Sequence, residues 1–486
     1  MIFGTLAQQI RVCALKAGFD LAGVAPLAAR TDLEFARTWV ENGYGGEMAY
    51  LRNPKRADPR LILPSARSVV CVGLVYNTAL PYSTEVGRQF SLGTRQLSVT
   101  ESQKWEAGNR QRITNNEHFP AAFEPAANVA SSRGDAVIPA KAGIQPADIT
   151  SPTTGAMDSR LCGNDGASKQ PPREATGWIS RYAWGRDYHQ AMRSRLEHLR
   201  AAIEKLAPGV ETRVYVDTGP IVERAFARLS GIGWVGKNTC LINQQKGSWF
   251  FLGVILTSLE LESDAPAFDR CGSCTRCLEA CPTGALAEPY VMDASRCISY
   301  LNIELKGPIP SELRPAIGAN LFGCDICQDV CPWNRPLSVV GGPLTEPEDG
   351  TARKGRRQVA TTELPEFQPI TVEHAQQPFG TSLRVVEPQQ RTTDNGQRTN
   401  ERFSLFHPRL QDLASLTEED FRRIFRDSPI KRVKYRGWLR NLCVVMGNSG
   451  DVRFIPCLER TLQEQEDAVV REHAEWALQR LRDLSQ

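Results

Sequence analysis

Eight of the fourteen cysteines lie between Cys271 and Cys331, each near a partner at ligand spacing. Cys271-Gly-Ser-Cys274-Thr-Arg-Cys277-Leu-Glu-Ala-Cys281-Pro282 is a CxxCxxCxxxCP run, in which three thiolates embrace one iron-sulfur cluster and the fourth reaches across to another. Cys297 and then Cys324-Asp-Ile-Cys327-Gln-Asp-Val-Cys331-Pro332 complete eight thiolates, enough for two four-iron clusters. The crossed rule gives Cys271, Cys274, Cys277 and Cys331 to one cluster and Cys281, Cys297, Cys324 and Cys327 to the other. Structural zinc also takes CxxC pairs, but two Cys-Pro terminators in crossed order favour iron and sulfur. Cys13, Cys71, Cys162, Cys240, Cys443 and Cys457 are scattered singly and read as ordinary apolar or free residues.

Two further motifs look chemical at first sight. Gly231-Ile-Gly233-Trp-Val-Gly236 fits GxGxxG, but it follows a helix and leads toward a strand, the reverse of the order that aims a helix N-terminus at a pyrophosphate. Asp187-Tyr-His189 begins like the DxHxxG signature of a cobalt-ligating histidine, yet Met192 stands where the glycine belongs. His189 is therefore expected to be a partly exposed residue at a helix start.

The elements around these residues read as follows. Leu6 to Lys16 has helical spacing, and Ser68 to Tyr76 is an apolar run suited to a buried strand, an α/β opening. After a polar stretch, order returns at Trp178, with a helix through Tyr188 to Leu199, a strand Thr212 to Asp217, a helix Ile221 to Leu229 and a buried strand Ser248 to Thr257. The tail from Phe403 is helical, and Val452 to Leu462 followed by Val469 to Leu481 looks like one helical-hairpin repeat of the solenoid, HEAT-like kind. The expected organisation is a catalytic part over 1–265 carrying an unstructured insert at about 88–175, a ferredoxin-like two-cluster part over 266–335, a polar insert or linker over 336–402 and a helical tail over 403–486. The fold class expected is thus α/β (α+β), with a ferredoxin-like module and an α-helical repeat.

With 58 basic and 55 acidic side chains in 486 residues, the net charge of +3 is too small to make the whole surface a polyanion binder. Any nucleic-acid site must be local. Phe421 to Arg440 carries eight Lys or Arg residues against the single acid Asp427, a local balance of +7, with Tyr435 and Trp438 interleaved. Such a stripe can hold phosphates by charge and bases by stacking, and Lys431, Arg432, Lys434, Arg436 and Arg440 are its candidate contacts. No apolar run approaches the roughly 20 residues of a membrane span, and the opening MIFGTLAQQIRVCALKAG is too interrupted for a signal sequence. A soluble, cytoplasmic monomer is expected.

Val216-Asp217-Thr-Gly-Pro220, Glu223-Arg224, Gly231-Ile-Gly-Trp-Val-Gly-Lys-Asn238, Ser180-Arg-Tyr-Ala-Trp-Gly-Arg-Asp-Tyr-His189, the Gly-Asn-Ser-Gly-Asp turn and the eight-cysteine layout occur in one order. Together they resemble the epoxyqueuosine reductase family across most of the chain outside the polar stretches. The resemblance implies cobalamin and two four-iron clusters, used to reduce the epoxide of epoxyqueuosine at the tRNA wobble position, with an unidentified electron donor. It also places Arg56, Ser180, Asp217, Glu223, Arg224, Cys324 and Asp325 near the corrinoid. Opening an epoxide leaves an alkoxide that must be protonated. Asp217 is the candidate donor, at the end of the apolar strand Val214 to Val216, where burial would favour its protonated form. It could instead cap the following turn with Thr218. A cobalamin-dependent reductase of a small molecule, akin to the reductive dehalogenases, and a plain electron carrier are the alternative functions.

Two polar stretches depart from the family pattern. In the first, Val137-Ile-Pro-Ala-Lys-Ala-Gly-Ile-Gln145 and Met157 to Gly166 look like a translated intergenic repeat, and its composition cannot bury enough apolar surface to offset chain entropy.

Overall fold

The apolar run Ser68–Val75 has no polar face to offer water, and all eight of its residues are buried as strand β2. In this computed structural model, which describes residues 4–27, 30–90, 174–335, 359–377, 380–386 and 402–485, β2 lies inside a four-stranded sheet. Its neighbours are β1 (Leu21–Pro26) and β4 (Phe250–Thr257), with β3 (Thr212–Tyr215) beyond β4. Every pairing is antiparallel, with Val24 opposite Val70 and Val70 opposite Ile255. The expected alternation of helix and strand is present, but the class is α+β and not parallel α/β. Periodicity reports burial and carries no information on strand direction.

Helices cover both faces of the sheet. Val70, Val72 and Leu74 point toward α1 (Leu6–Lys16) and α2 (Tyr188–Leu206), meeting Ile10, Ala14, Met192, Leu196 and Ile203. Val69 and Cys71 point the other way, toward Phe226 and Ala227 of α3 (Glu223–Leu229). Gly253 of β4 is required at the first of these contacts, since a Cβ there would stand 2.8 Å from Leu196 Cδ1. α1 opens with a Thr5–Gln8 capping box, and Asp187 caps α2 by accepting from the His189 N–H.

The cysteine-rich segment has little regular structure of its own. It joins the rest through Asn320–Phe322, which pairs in parallel with Trp178–Ile179. The tail then packs onto it. Helices α4 (Lys434–Ser449), α5 (Ile455–Glu464) and α6 (Ala468–Ser485) share a core of Leu442, Val445, Leu458, Ala474, Ala477 and Leu481. Gly447 allows α4 and α6 to approach closely, because a Cβ there would meet Ala477 Cα at 2.9 Å. Among the described residues no helix is long and apolar enough to cross a membrane.

Two sequence expectations need correction here. Trp438 is fully buried, packed on Phe421 and Phe425 at centroid distances of 5.7 and 5.2 Å, so it cannot stack on a base. Arg440 is 2 % exposed and donates to the carbonyls of Leu301, Leu305 and Gly307 at 2.8, 2.7 and 3.0 Å. It bolts the tail to the cysteine segment and is no phosphate ligand. Local charge counting cannot see this, because the carbonyls it serves lie far away in sequence. Asn441 adds bonds to the carbonyls of Asn302 and Leu321, and the ring of His473 accepts from the Ile309 N–H.

The second polar stretch also differs from expectation. Phe367 is buried, Glu366 pairs with Arg195 at 2.7 Å, and Thr371–Gln377 (β5) pairs with Gly380–Val386 (β6) and Arg402–Ser404 (β7). Its anchors are Phe367, Val372, the Glu366–Arg195 pair and backbone hydrogen bonds, too sparse to leave a periodic trace in composition. The first stretch falls outside the described residues from 91 to 173, including the repeat-like segments and Cys162.

Removing the Arg440 guanidinium leaves three inward carbonyls without their donor. Arg440→Ala should therefore cost about 2–5 kcal/mol, read as a lowered thermal midpoint. An unchanged midpoint would contradict the structural role.

Candidate active site and cluster region

The cysteines gather in the crossed sets. Burial pushes the Cys277 thiol up to about 11, and the next contributions come from Cys271 and Cys274. Burial likewise raises Cys331 to about 12, against a backbone donor at Trp333 and with Cys271 and Cys277 adding to it. Burial raises Cys324 well above the usual thiol range, with Cys297 and Cys281 among its neighbours, and Cys327 feels Cys324 and Cys297. Crowded, buried thiols of this kind are held as thiols by the protein alone, and a bound metal centre is what ionises them. The donor set is all sulfur, which suits iron-sulfur clusters. Among the described residues no three His, Cys, Asp or Glu side chains close into a single-ion site; a four-iron cluster spaces its thiolates around a cube and asks for no such geometry.

The GxGxxG stretch serves these loops. It runs from α3 into the hairpin of Trp234–Val235 and Leu241–Ile242, as its helix-to-strand order predicts. Just beyond, Lys237 Nζ donates to the carbonyls of Gly272 and Cys274 at 2.6 and 3.1 Å, and Asn238 donates to the Cys327 carbonyl at 3.2 Å. Cys240 is isolated in the sequence, yet its thiol shares a hydrogen bond with that of Cys327. No spacing rule links positions 240 and 327.

Between the sheet, the cysteine segment and the tail lies a cavity of about 1410 Å³, larger than the roughly 300–1,000 Å³ of an ordinary ligand pocket. Phe250, Phe251 and Leu252 of β4 form part of its wall; Cys297 and Gln328 reach it from the cysteine segment, and Lys431 and Arg432 from the tail. Asp217 faces it from a turn two residues past β3, with φ of +54°. Few non-glycine residues take this left-handed conformation, and it marks a site held by its surroundings. The expected burial of Asp217 is not found, since its side chain is 51 % exposed. Tyr188 Oη donates to Asp217 Oδ2 at 2.8 Å, and His189 Nε2 stands 3.8 Å from the same oxygen. The Tyr188 ring is sandwiched between Phe251 and His189, with centroids at 4.1 and 4.2 Å.

Glu223 lies behind Asp217 and accepts from its backbone N–H at 2.7 Å. Burial, then the charge of Asp217, push the Glu223 carboxyl up to about 8, with Arg56 and Arg224 opposing. Arg56 donates to the Gly219 carbonyl at 3.4 Å and Arg224 to that of Thr239 at 2.5 Å, which ties both guanidinium groups to the rim. Asp187 accepts from His189 Nδ1 at 2.7 Å and pairs with Lys431 at 2.9 Å. Burial favours its neutral form, but these bonds outweigh it and hold the carboxyl below the usual range.

Of the residues placed near the corrinoid by resemblance, Arg56, Asp217, Glu223 and Arg224 line the cavity, whereas Ser180, Cys324 and Asp325 do not. Ser180 and Asp325 bond to each other at 2.5 Å, and Asp325, 1 % exposed, also accepts from Trp178 Nε1 and the Arg181 N–H. Gly323, with φ of +70°, brings the chain against Ser180 and turns it into Cys324. This is a buried polar joint behind the cavity wall. Of the tail cations, Lys431 and Arg432 reach the rim; Arg436 pairs with Asp467 at 2.5 Å and donates to the Lys306 carbonyl, and Lys434 is exposed. The sequence analysis sets His189 aside as a helix-start residue and does not single out Tyr188, yet both follow directly on the cap residue of α2 and face Asp217.

Residues 270–334 match the family profile for a 4Fe-4S double cluster binding domain, and residues 162–218 match the profile described as Epoxyqueuosine reductase QueG, DUF1730. An epoxyqueuosine reductase of Xanthomonas campestris is 36 % identical over 474 residues, covering 97 % of this chain and 95 % of that one. The chain belongs to the epoxyqueuosine reductase family. The Escherichia coli member is 37 % identical over 303 residues, an alignment spanning 62 % of this chain and 65 % of the relative. A crystal structure of epoxyqueuosine reductase with a tRNA-Tyr epoxyqueuosine-modified stem loop shares the fold, with a TM-score of 0.63 at 24 % identity over 98 % of this chain and 90 % of that one.

The crossed ligand sets lead to a direct expectation. Cys327→Ser should lose about half of the bound iron after anaerobic reconstitution, and Cys443→Ser none; zinc in place of iron, or equal retention by both variants, would refute the assignment. Glu223 gives a second one. Its folded-state pKa of about 8 exceeds the ordinary 4.5, so the group's contribution to stability is complete below about 4.5 and is lost as pH rises toward 8. Glu223→Gln abolishes this titration. Between about pH 5 and pH 8.5 the thermal midpoint of wild type should drop further than that of the variant, by several degrees at the few degrees per kcal/mol usual for large chains; parallel curves would contradict it.

Proposed function

We propose that this chain removes the epoxide oxygen of epoxyqueuosine in tRNA to give queuosine, using a corrinoid seated in the cavity and electrons delivered through two four-iron clusters. The observation that carries the proposal is Asp217, an aspartate presented on a left-handed turn into a cavity that Cys297, assigned to the second cluster set, also lines. When bound, the corrinoid and clusters supply the low-potential electrons that open the epoxide.

The residues present fit such a group. The cavity exceeds a small-molecule pocket, its wall carries the aromatic faces of Phe250, Phe251 and Tyr76, and its rim bears fixed cations. One buried ring nitrogen, His189 Nε2, has no hydrogen-bond partner among the described residues, as in a chamber that waits for a reacting group. The cluster bound by Cys281, Cys297, Cys324 and Cys327 is the one nearer the cavity, and that of Cys271, Cys274, Cys277 and Cys331 is the outer relay.

The chain's own work is positioning and proton transfer. Asp217 gives a proton to the oxygen as it leaves carbon, and the Tyr188 hydroxyl orients the carboxyl that does so. Neutral Glu223 beneath the turn spares Asp217 a second negative charge, and Arg56 and Arg224 stay on the rim to meet anionic groups. Lys431 and Arg432, at the mouth, are the tail cations placed to meet the phosphates of a tRNA loop entering the cavity, with exposed Lys434 on the flank.

Asp217→Asn keeps the shape and the hydrogen bond to Tyr188 but has no carboxylic proton. Single-turnover reduction of epoxyqueuosine tRNA by chemically reduced enzyme should fall by about a hundred- to ten-thousand-fold, the usual worth of a positioned general acid, with both clusters retained. Near-normal turnover would leave Asp217 as a turn residue. Wild-type turnover of an epoxide on a free nucleoside as fast as on tRNA would favour the small-molecule reductase, and absence of any corrinoid-dependent turnover the plain carrier.

A further inference from the structure

Taking an epoxide oxygen away as water breaks two C–O bonds, makes one carbon-carbon π bond, and consumes two electrons and two protons. A low-potential one-electron donor, acting twice through the clusters, accounts for the electrons. Asp217 holds one proton at most, so a second group must refill it.

Three neighbours of Asp217 could do so. The Tyr188 hydroxyl is closest at 2.8 Å, but burial and the adjoining Asp217 charge push its ionisation far up, so it orients the carboxyl and keeps its proton. Glu223 meets the backbone N–H of Asp217 and not its carboxyl. His189 remains. Its Nε2 faces Asp217 Oδ2 at 3.8 Å and is a buried atom with no hydrogen-bond partner among the described residues. Its Nδ1 is fixed by Asp187 Oδ1 at 2.7 Å, and Asp187 is anchored in turn by the Lys431 ammonium at 2.9 Å and by the start of α2. The flat face of the ring is clamped on Tyr188. Arg432, paired with Glu304, lines the same cavity on the tail side.

Given the epoxide-reducing function proposed above, we infer that His189 is the second proton donor, passing its Nε2 proton to Asp217 after Asp217 has protonated the departing oxygen. Both protons then reach the oxygen through one carboxyl: the first from Asp217, the second from His189 by way of Asp217. Water forms, the double bond closes, and the neutral imidazole regains its Nε2 proton from water that refills the cavity it lines once product has left. Asp187 keeps the ring oriented and selects the Nδ1–H tautomer once the Nε2 proton has left. The remaining gap closes with a small side-chain rotation or one water, as resting acid-base pairs commonly do.

The test is single-turnover reduction of epoxyqueuosine tRNA by chemically reduced, cofactor-loaded enzyme from about pH 5.5 to 8.5, where imidazole side chains change charge. Wild type should slow as pH rises. His189→Gln should be slower by about a hundred-fold at the acid end and lose that limb of the profile, with corrinoid content by visible spectrum and tRNA affinity unchanged. Imidazole added to His189→Ala should restore part of the rate, and Asp187→Asn should slow the reaction in the same direction. A His189→Gln enzyme with the wild-type rate and profile would overturn the inference, as would a uniformly slower one with an intact profile and no rescue, or one that has lost corrinoid or tRNA. Failure of wild type itself to reduce the epoxide would instead overturn the function on which the inference rests.

Discussion

Buried thiols crowded by other thiols are the constraint on which the rest of this structure depends. The segment from Cys271 to Cys331 has short helices and few strands, and what its cysteines share is proximity in two sets. Everything else is built around that arrangement. Lys237 and Asn238 hold the loops from the sheet side, and the Asp325 carboxylate gathers Ser180, Trp178 and Arg181 behind Cys324. From the tail side, Arg440, Asn441 and His473 take up the inward backbone groups of the same segment. Clusters that ionise the thiols would replace mutual thiol crowding with metal-sulfur bonds, so folding of this segment and metal binding are coupled.

The cavity inherits its electrostatics from the same packing. Acids and cations both line it, held by several elements: Asp217 by the left-handed turn, Glu223 at the start of α3, Asp187 at the cap of α2, Lys431 and Arg432 from the tail. Neighbouring carboxyls cannot all ionise in a confined site without cost. Here the burden falls on Glu223, which burial raises to about 8, while Lys431 and His189 stabilise the ionised form of Asp187. Two carboxyls with opposed protonation preferences, flanking a third, are what proton delivery at neutral pH requires.

Much of this was legible in the residues, for identifiable reasons. Cysteine spacing reports on ligands because thiolate geometry constrains it locally, and thiols distant in sequence, such as Cys331 and Cys271, are neighbours in the fold. The apolar runs at Ser68–Val75 and Phe250–Thr257 lie where expected because burial on both faces leaves a contiguous signal. The basic stripe misleads in part: Arg440 and Trp438 belong to the interior, and a charge count over sequence is blind to carbonyls brought in from 133 and 135 residues away. Phe367 and β5 are hidden in a polar stretch because two widely separated apolar anchors, Phe367 and Val372, have no period. Tyr188 and His189 were passed over because their significance comes from Asp217, almost thirty positions on and joined to them only by the turn after β3.

The central claim is that the cavity between sheet, clusters and tail is a corrinoid chamber. Its most direct test is the visible spectrum of anaerobically purified protein, with its iron-sulfur absorption intact, titrated with cobalamin. The account predicts a change in the corrinoid bands that saturates near one equivalent per chain and is weakened by a bulky residue at Thr218, which lines the cavity beside Asp217. A spectrum that is only the sum of free cobalamin and clusters, at every ratio tried, would contradict it.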